Sequence, residues 1–317
     1  LTADDCDDGD VNLGAVSDDG DCDGALTADD CDDGDAAINP GAIDELLADM
    51  DCVEGISDNS LALAGYSFVG ENSGDGAGFS VSSAGDVDGD DLDDILVGAN
   101  ANNDSAGKVY LILGASLGST SAIDLSNADY SFVGENDVDR AGSSVSNAGD
   151  VDGDGLDDLL MGAYGNDDGG VQAGKVYLIL GASLGITSEI DLSNADYSFV
   201  GQYNVDYAGF SVSNAGDVDG DGLDDLLVGA QNNDDGGSSA GKTYLILGAS
   251  LGVSSEIDLY YADHSFVGEN NYDRSGVSVS SAGDVDGDGL DDLLVGADDN
   301  GDSGSGAGKA YLILSGL

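Results

Sequence analysis

Residues 84–99 read A-G-D-V-D-G-D-D-L-D-D-I-L-V-G-A, and the same stretch returns with small changes at 148–163, 215–230 and 282–297. Its aspartate runs begin at Asp86, Asp150, Asp217 and Asp284, so the copies stand 64, 67 and 67 residues apart. Repetition at a fixed period means that each copy is one supersecondary unit that must bury its faces against its neighbours. The three-residue difference falls in a single segment, 100–107 against 164–174, which marks that segment as a surface loop.

Every copy contains the pattern D-x-D-G-D-x-x-x-D. Its carboxylates at positions one, three, five and nine are Asp86, Asp88, Asp90 and Asp94; Asp150, Asp152, Asp154 and Asp158; Asp217, Asp219, Asp221 and Asp225; and Asp284, Asp286, Asp288 and Asp292. Alternate carboxylates can curl around one ion, and glycine at position four permits the turn. The backbone carbonyl at position seven, from Leu92, Leu156, Leu223 or Leu290, completes an oxygen shell with the carboxylate at position nine. Donors of this kind, all oxygen and mostly charged, select calcium over zinc or copper. Without an ion, two carboxylates about 4 Å apart repel by roughly 4 kcal/mol at an effective dielectric near 20. Solvated acidic turns are the alternative, and four in-register copies count against it.

Outward from the loops, four strand-like runs recur in each copy: 66–70 (Y-S-F-V-G), 79–83 (F-S-V-S-S), 94–98 (D-I-L-V-G) and 108–113 (K-V-Y-L-I-L). Enrichment in Val, Ile, Tyr and Phe between clusters of Gly, Asn, Asp and Ser supports strands over helices. Four strands per repeat is the signature of a propeller blade. The blades are expected over 64–127, 128–194, 195–261 and 262–317, giving complete strand sets with none to spare, and residues 116–124 read as a connector.

The chain of 317 residues carries 65 Asp and Glu against 6 Lys and Arg, a formal net charge of -59. Such a polyanion is repelled by nucleic acid and by acidic membranes, so both are excluded as partners. Glutamate occurs at only Glu45, Glu54, Glu71, Glu135, Glu189, Glu256 and Glu269, and every other acidic residue is aspartate. That bias points to short, rigid oxygen cages in turns rather than to a generic salt-adapted surface. No run of 18 apolar residues exists to span or insert into a membrane as a helix, and no basic segment leads into an apolar one at the start. Leu1 in place of an initiator implies a processed N-terminus or a segment of a longer array.

Residues 1–55 form a separate, loop-rich unit in which 1–10 reappear verbatim at 26–35. Residues 19–30 fit a twelve-residue EF-hand-type loop, with ligands at Asp19, Asp21, Asp23, the Ala25 carbonyl and Asp30, and with Gly24 at the sharp turn. All four cysteines, Cys6, Cys22, Cys31 and Cys52, lie in this unit. An even number in a small acidic module reads as two disulfides formed in an oxidising compartment. A thiolate metal site is the alternative, weakened because the single histidine, His264, is far away in sequence. The expected pairs are Cys6–Cys22 and Cys31–Cys52, each joining a D-C-D-D element to the next D-C element; loops of this length add on the order of 3 kcal/mol each.

With these motifs the chain resembles the FG-GAP repeats of integrin α-subunit propellers and of bacterial surface proteins. Gly78-Phe79 and Gly209-Phe210 match the first element of that name, weakened to Gly142-Ser143 and Gly276-Val277. Gly98-Ala99-Asn100, Gly162-Ala163-Tyr164, Gly229-Ala230-Gln231 and Gly296-Ala297-Asp298 match the second without its proline. The N-terminal unit is similar to an acidic Asp/Cys metal-binding motif of secreted bacterial surface proteins. The resemblance covers about residues 64–317 and implies an all-β, propeller-like array of four FG-GAP blades with a small disulfide-linked, calcium-binding N-terminal module. It also implies a secreted or cell-surface setting and a role in adhesion. The family commonly closes with seven blades, and this chain holds four.

Three functions compete on this reading. A structural or adhesive protein, self-associating into an oligomer or fibre with calcium in a mechanical role, accounts for four near-identical units. A recognition module would bind a glycan or another surface protein through loops such as 100–107, yet these stay monotonous in Asn, Asp, Gly and Ser. An enzyme lacks a Ser-His-Asp, Cys-His or H-E-x-x-H set when the chain has one histidine. Asp75, Asp139, Asp206 and Asp273 recur in register as turn formers or extra ligands, and Lys108, Lys175, Lys242 and Lys309 are expected to pair with carboxylates or guard an edge.

Overall fold

The structure is a computed structural model that describes residues 61, 64–118, 121–252 and 254–316. The N-terminal module expected over 1–55, with its loop from Asp19 to Asp30 and its four cysteines, lies outside the described residues. Phe68–Leu317 forms one compact unit, and it is built from β-sheet joined by short turns.

Each repeat folds its three inner runs into an antiparallel meander. In the first repeat these are Ser80–Gly85, Asp94–Ala99 and Lys108–Ile112, followed in later repeats by Ser144–Gly149, Asp158–Ala163 and Lys175–Ile179, then Ala208–Gly216, Asp225–Ala230 and Lys242–Ile246, then Ser275–Gly283, Asp292–Ala297 and Lys309–Ile313. The middle strands (D-I-L-V-G-A and equivalents) are almost wholly buried in the first three repeats, as their unbroken apolar character demands.

The fourth, outer strand comes from elsewhere than the blade boundaries implied. The Y-S-F-V run that opens each repeat pairs with the sheet of the repeat before it: Tyr130–Val133 lies antiparallel to Lys108–Ile112, with Lys108 opposite Val133 and Leu111 opposite Tyr130. Tyr197–Val200 and His264–Val267 do the same for the second and third sheets. Glu189–Asp191 and Glu256–Asp258 then add a fifth strand, parallel, to the first and second sheets. Strand bookkeeping therefore leaves a remainder at each end. Among the described residues the fourth sheet has only three strands, and Ser67–Val69, the first outer run, sits in a two-stranded sheet with Ala122–Asp124.

Successive sheets pack face to face through shared apolar layers. Ala84, Leu96, Val109 and Leu111 of the first repeat meet Val145, Leu159, Met161 and Tyr177 of the second. The same layer forms between the second and third repeats around Leu160, Leu178, Val212 and Leu226, and a smaller one lies between the third and fourth. The approach is close enough to dictate glycine. A Cβ on Gly162 would run into the Gly209 carbonyl oxygen of the next repeat, and one on Gly98 into that of Gly142.

Candidate metal centres

The aspartate loops link the inner strand of each repeat to its middle strand. Gly89, Gly153, Gly220 and Gly287, at position four, have φ of +78° to +82°, a left-handed conformation that explains glycine there. The first carboxylate organises the turn. Asp150 accepts from the backbone N–H groups of Gly153 at 2.7 Å, Asp154 at 3.0 Å and Gly155 at 2.9 Å, and Asp86, Asp217 and Asp284 accept equivalent sets.

Three carboxylates converge in every loop, with ligand atoms within 4.8 Å of one another: Asp86, Asp88 and Asp90; Asp150, Asp152 and Asp158; Asp217, Asp219 and Asp225; Asp284, Asp286 and Asp292. Positions one and three are thus constant, while the third member is position five in the first repeat and position nine in the others. In all four repeats the position-five carboxylate, Asp90, Asp154, Asp221 or Asp288, also accepts from the N–H group of the leucine two residues on. Position nine is the buried anchor: Asp158 accepts from Val151 N–H and Gly181 N–H, both at 2.9 Å.

No Lys or Arg pairs with any of these loop carboxylates among the described residues. The charge is felt in the acidities. Burial first, then the neighbouring Asp154, raises the Asp152 carboxyl above its ordinary range, and burial pushes Asp158 up to about 7 and Asp225 up to about 6. Hard oxygen donors with unbalanced negative charge fit a hard divalent cation, and the carboxylates at positions one, three, five and nine are those that would hold it.

A residue that sequence reasoning passed over ties each of the first three loops to the next repeat. The first aspartate of the D-D pair, Asp157, accepts a 2.8 Å hydrogen bond from Asp86 N–H and donates its own N–H to the Asp86 carbonyl at 3.1 Å. Asp224 clasps Asp150, and Asp291 clasps Asp217, in the same two-bonded way. Ser80, Ser144 and Ser211 add a third bond across each junction, donating to the carbonyls of Gly142, Gly209 and Gly276 at 2.8 Å.

The recurring Asp75, Asp139, Asp206 and Asp273 are turn formers, each accepting from the backbone N–H three residues before it, and are not members of the loop clusters. All four are buried, and each accepts from an asparagine 27 residues later, Asn102, Asn166, Asn233 or Asn300, at 2.8–2.9 Å. They pin the loop after the middle strand to the loop before the inner one. The lysines pair as expected: Lys108 with Glu71, Lys175 with Glu135 and Asp168, Lys242 with Asp235, and Lys309 with Glu269 and Asp302, at 2.7–2.9 Å. Each ammonium lies 4.9–5.3 Å from the ring centre of the tyrosine two residues on. His264 is exposed on its strand.

The FG-GAP repeat pattern matches residues 77–112, 141–179, 208–246 and 275–313, which are the three-stranded meanders with their aspartate loops. Among curated proteins, the chain is 31% identical over 229 residues to integrin alpha pat-2 of Caenorhabditis elegans, covering 67% of this chain and 17% of that one. It is 29% identical over 250 residues to integrin alpha-PS2 of Drosophila melanogaster, covering 77% and 16%. It is 32% identical over 232 residues to integrin alpha-5 of Xenopus laevis, covering 69% and 20%. The chain thus spans a fifth or less of the length of these relatives.

Proposed function

The chain is a member of the FG-GAP repeat, integrin-α-like family, and from that membership we propose that it is a calcium-stabilised extracellular adhesive protein that associates with itself. Convergence of three carboxylates in each of four loops, with no basic side chain to balance them, is the observation that carries this reading. Calcium fits the donor set, and a site filled at about 100 times its dissociation constant adds roughly 2.7 kcal/mol to the folded state. The loops then serve stability rather than chemistry, which agrees with a binding role and not an enzymatic one. No helix among the described residues is long and apolar enough to cross a membrane.

Differential scanning calorimetry of the full chain with calcium, and after EDTA, tests the proposal. The expected result is a sharp fall in melting temperature on chelation, restored by calcium. An unchanged transition would overturn it.

A further inference from the structure

Segments 114–127, 181–194 and 248–261 join each of the first three meanders to the next outer run, and the third departs from its predecessors at one place. Ser126-Asn127 and Ser193-Asn194 close the first two, whereas Tyr260-Tyr261 stand at the same positions of the third. Their rings are 64% and 76% exposed and meet edge to face with centres 5.1 Å apart. Openness belongs to the position and not to its place in the series, because Ser126, Asn127, Ser193 and Asn194 are exposed as well. A second departure lies in the third repeat itself. Glu71, Glu135 and Glu269 follow their outer runs, and the third repeat has Gln202 there.

Both departures reach one cavity. It lies beside the parallel strand Glu256–Asp258 of the second sheet, has a volume of about 560 Å³, and is lined in part by Asp168, Gln202, Ser254, Glu256, Asp258 and Tyr261. Small-molecule sites span roughly 300–1,000 Å³. In a chain of near-identical repeats, two substitutions far apart in sequence have changed the same walls.

Together they give the cavity what a sugar ring needs, an aromatic surface for its C–H bonds and directional polar groups for its hydroxyls. Tyr261 supplies the first. The Gln202 Oε1 accepts from Lys242 Nζ and Tyr244 Oη, each at 3.3 Å, which leaves the amide N–H groups to donate. A glutamate there would only accept. Ser254 donates its hydroxyl to the Glu256 carbonyl at 2.7 Å and keeps its oxygen as an acceptor, beside the carboxylates of Glu256 and Asp258. Lys175 Nζ already pairs with Asp168 at 2.7 Å and with Glu256 at 3.8 Å, so the walls are not a bare carboxylate cage awaiting a cation. Acidic sugars are repelled by these walls and by the net charge of -59.

We propose that this cavity is a carbohydrate-binding site for a neutral saccharide, with Tyr261 as its stacking platform and Gln202 as its donor. It uses none of the aspartate-loop carboxylates and no second copy, so it goes beyond the self-associating reading and stands or falls without it.

Isothermal titration of the full chain in millimolar calcium with maltose, cellobiose, lactose and diacetylchitobiose tests it, with Nα-acetyl-lysine amide as a cationic probe. At least one disaccharide is expected to bind in preference to the lysine probe. Tyr261→Asn and Gln202→Glu install the residues that the other segments and repeats hold at these positions, so both variants are expected to keep the parent's melting temperature. Each is expected to weaken binding about tenfold, Tyr261→Asn by removing the stacking surface and Gln202→Glu by removing the donor. Failure of all four sugars to bind, binding indifferent to both substitutions, or preference for the lysine probe would overturn the proposal. None of these outcomes alters calcium-dependent melting, which tests the reading above separately.

Discussion

The Asp157 carboxylate reaches 71 residues back along the chain to accept the backbone N–H of Asp86, the residue that opens the preceding aspartate loop. Loop geometry and repeat packing therefore share one hydrogen bond. Asp157→Ala is expected to destabilise the protein by about 1.5–3 kcal/mol, the range for a hydrogen bond to a charged acceptor. Asp93→Ala, at the same position of the first repeat, is expected to change stability much less, since Asp93 is exposed and no loop among the described residues clasps it. Urea denaturation of the two variants measures the difference, and equal losses would contradict the clasp.

Lys175 is buried with Glu135 and Asp168 at 2.8 and 2.7 Å. Burial alone would lower its pKa, but the two carboxylates outweigh that and raise it. Lys175→Met strands a shielded Glu135 and is expected to cost about 3–5 kcal/mol, the scale for breaking a buried pair from one side. Lys309→Met, at the more open fourth repeat, is expected to cost under about 1 kcal/mol. Thermal melting of both variants compares them directly.

Burial pushes Asp206 up to about 6 despite its bonds from Asn233 and from Tyr203 N–H. The folded state holds this proton at a pH where the unfolded chain, with an ordinary carboxyl near 3.9, has lost it. Its contribution is therefore fully present below about pH 4 and is lost as pH rises toward 6, on the order of 2–3 kcal/mol in total. In EDTA, Asp206→Asn is expected to flatten the fall in stability between those limits, because asparagine keeps an acceptor without the titration. An unaltered pH profile in that window would remove Asp206 as its source.

Gly162→Ala sets a methyl carbon against the Gly209 carbonyl oxygen, while Gly296→Ala meets nothing nearer than 3.5 Å. The first is expected to destabilise by roughly 1–3 kcal/mol, as overpacking does, and the second by much less. Melting temperatures of the pair provide the check.

The repeats, their inner strands and their aspartate loops were legible because each leaves a local mark: apolar runs, glycine at a fixed turn position, and carboxylates on alternate residues. Pairing of the Y-S-F-V run with the sheet before it left none, since the run looks the same whichever sheet it joins. Within D-D the nine-residue pattern singles out Asp158, which anchors its own loop, and leaves Asp157, which crosses to another repeat, without a mark. A signal for the buried Asp139 set did exist. The 27-residue spacing from aspartate to asparagine is identical in all four repeats, even though the adjacent loop differs in length by three residues. The length difference falls after the asparagine, outside the segment this pair spans, so the fixed spacing marks that segment as a constant unit.

Because each of the first three sheets borrows its outer strand from the following repeat, the unit that was duplicated in the sequence is not the unit that folds. A copy cut out at its sequence boundaries would lose one strand and carry another with no sheet to join. Insertion of a whole copy anywhere in the series, however, recreates every junction unchanged. Such a gene can lengthen or shorten its product by whole copies without inventing a new interface, and evolution can tune reach while leaving each contact as it was.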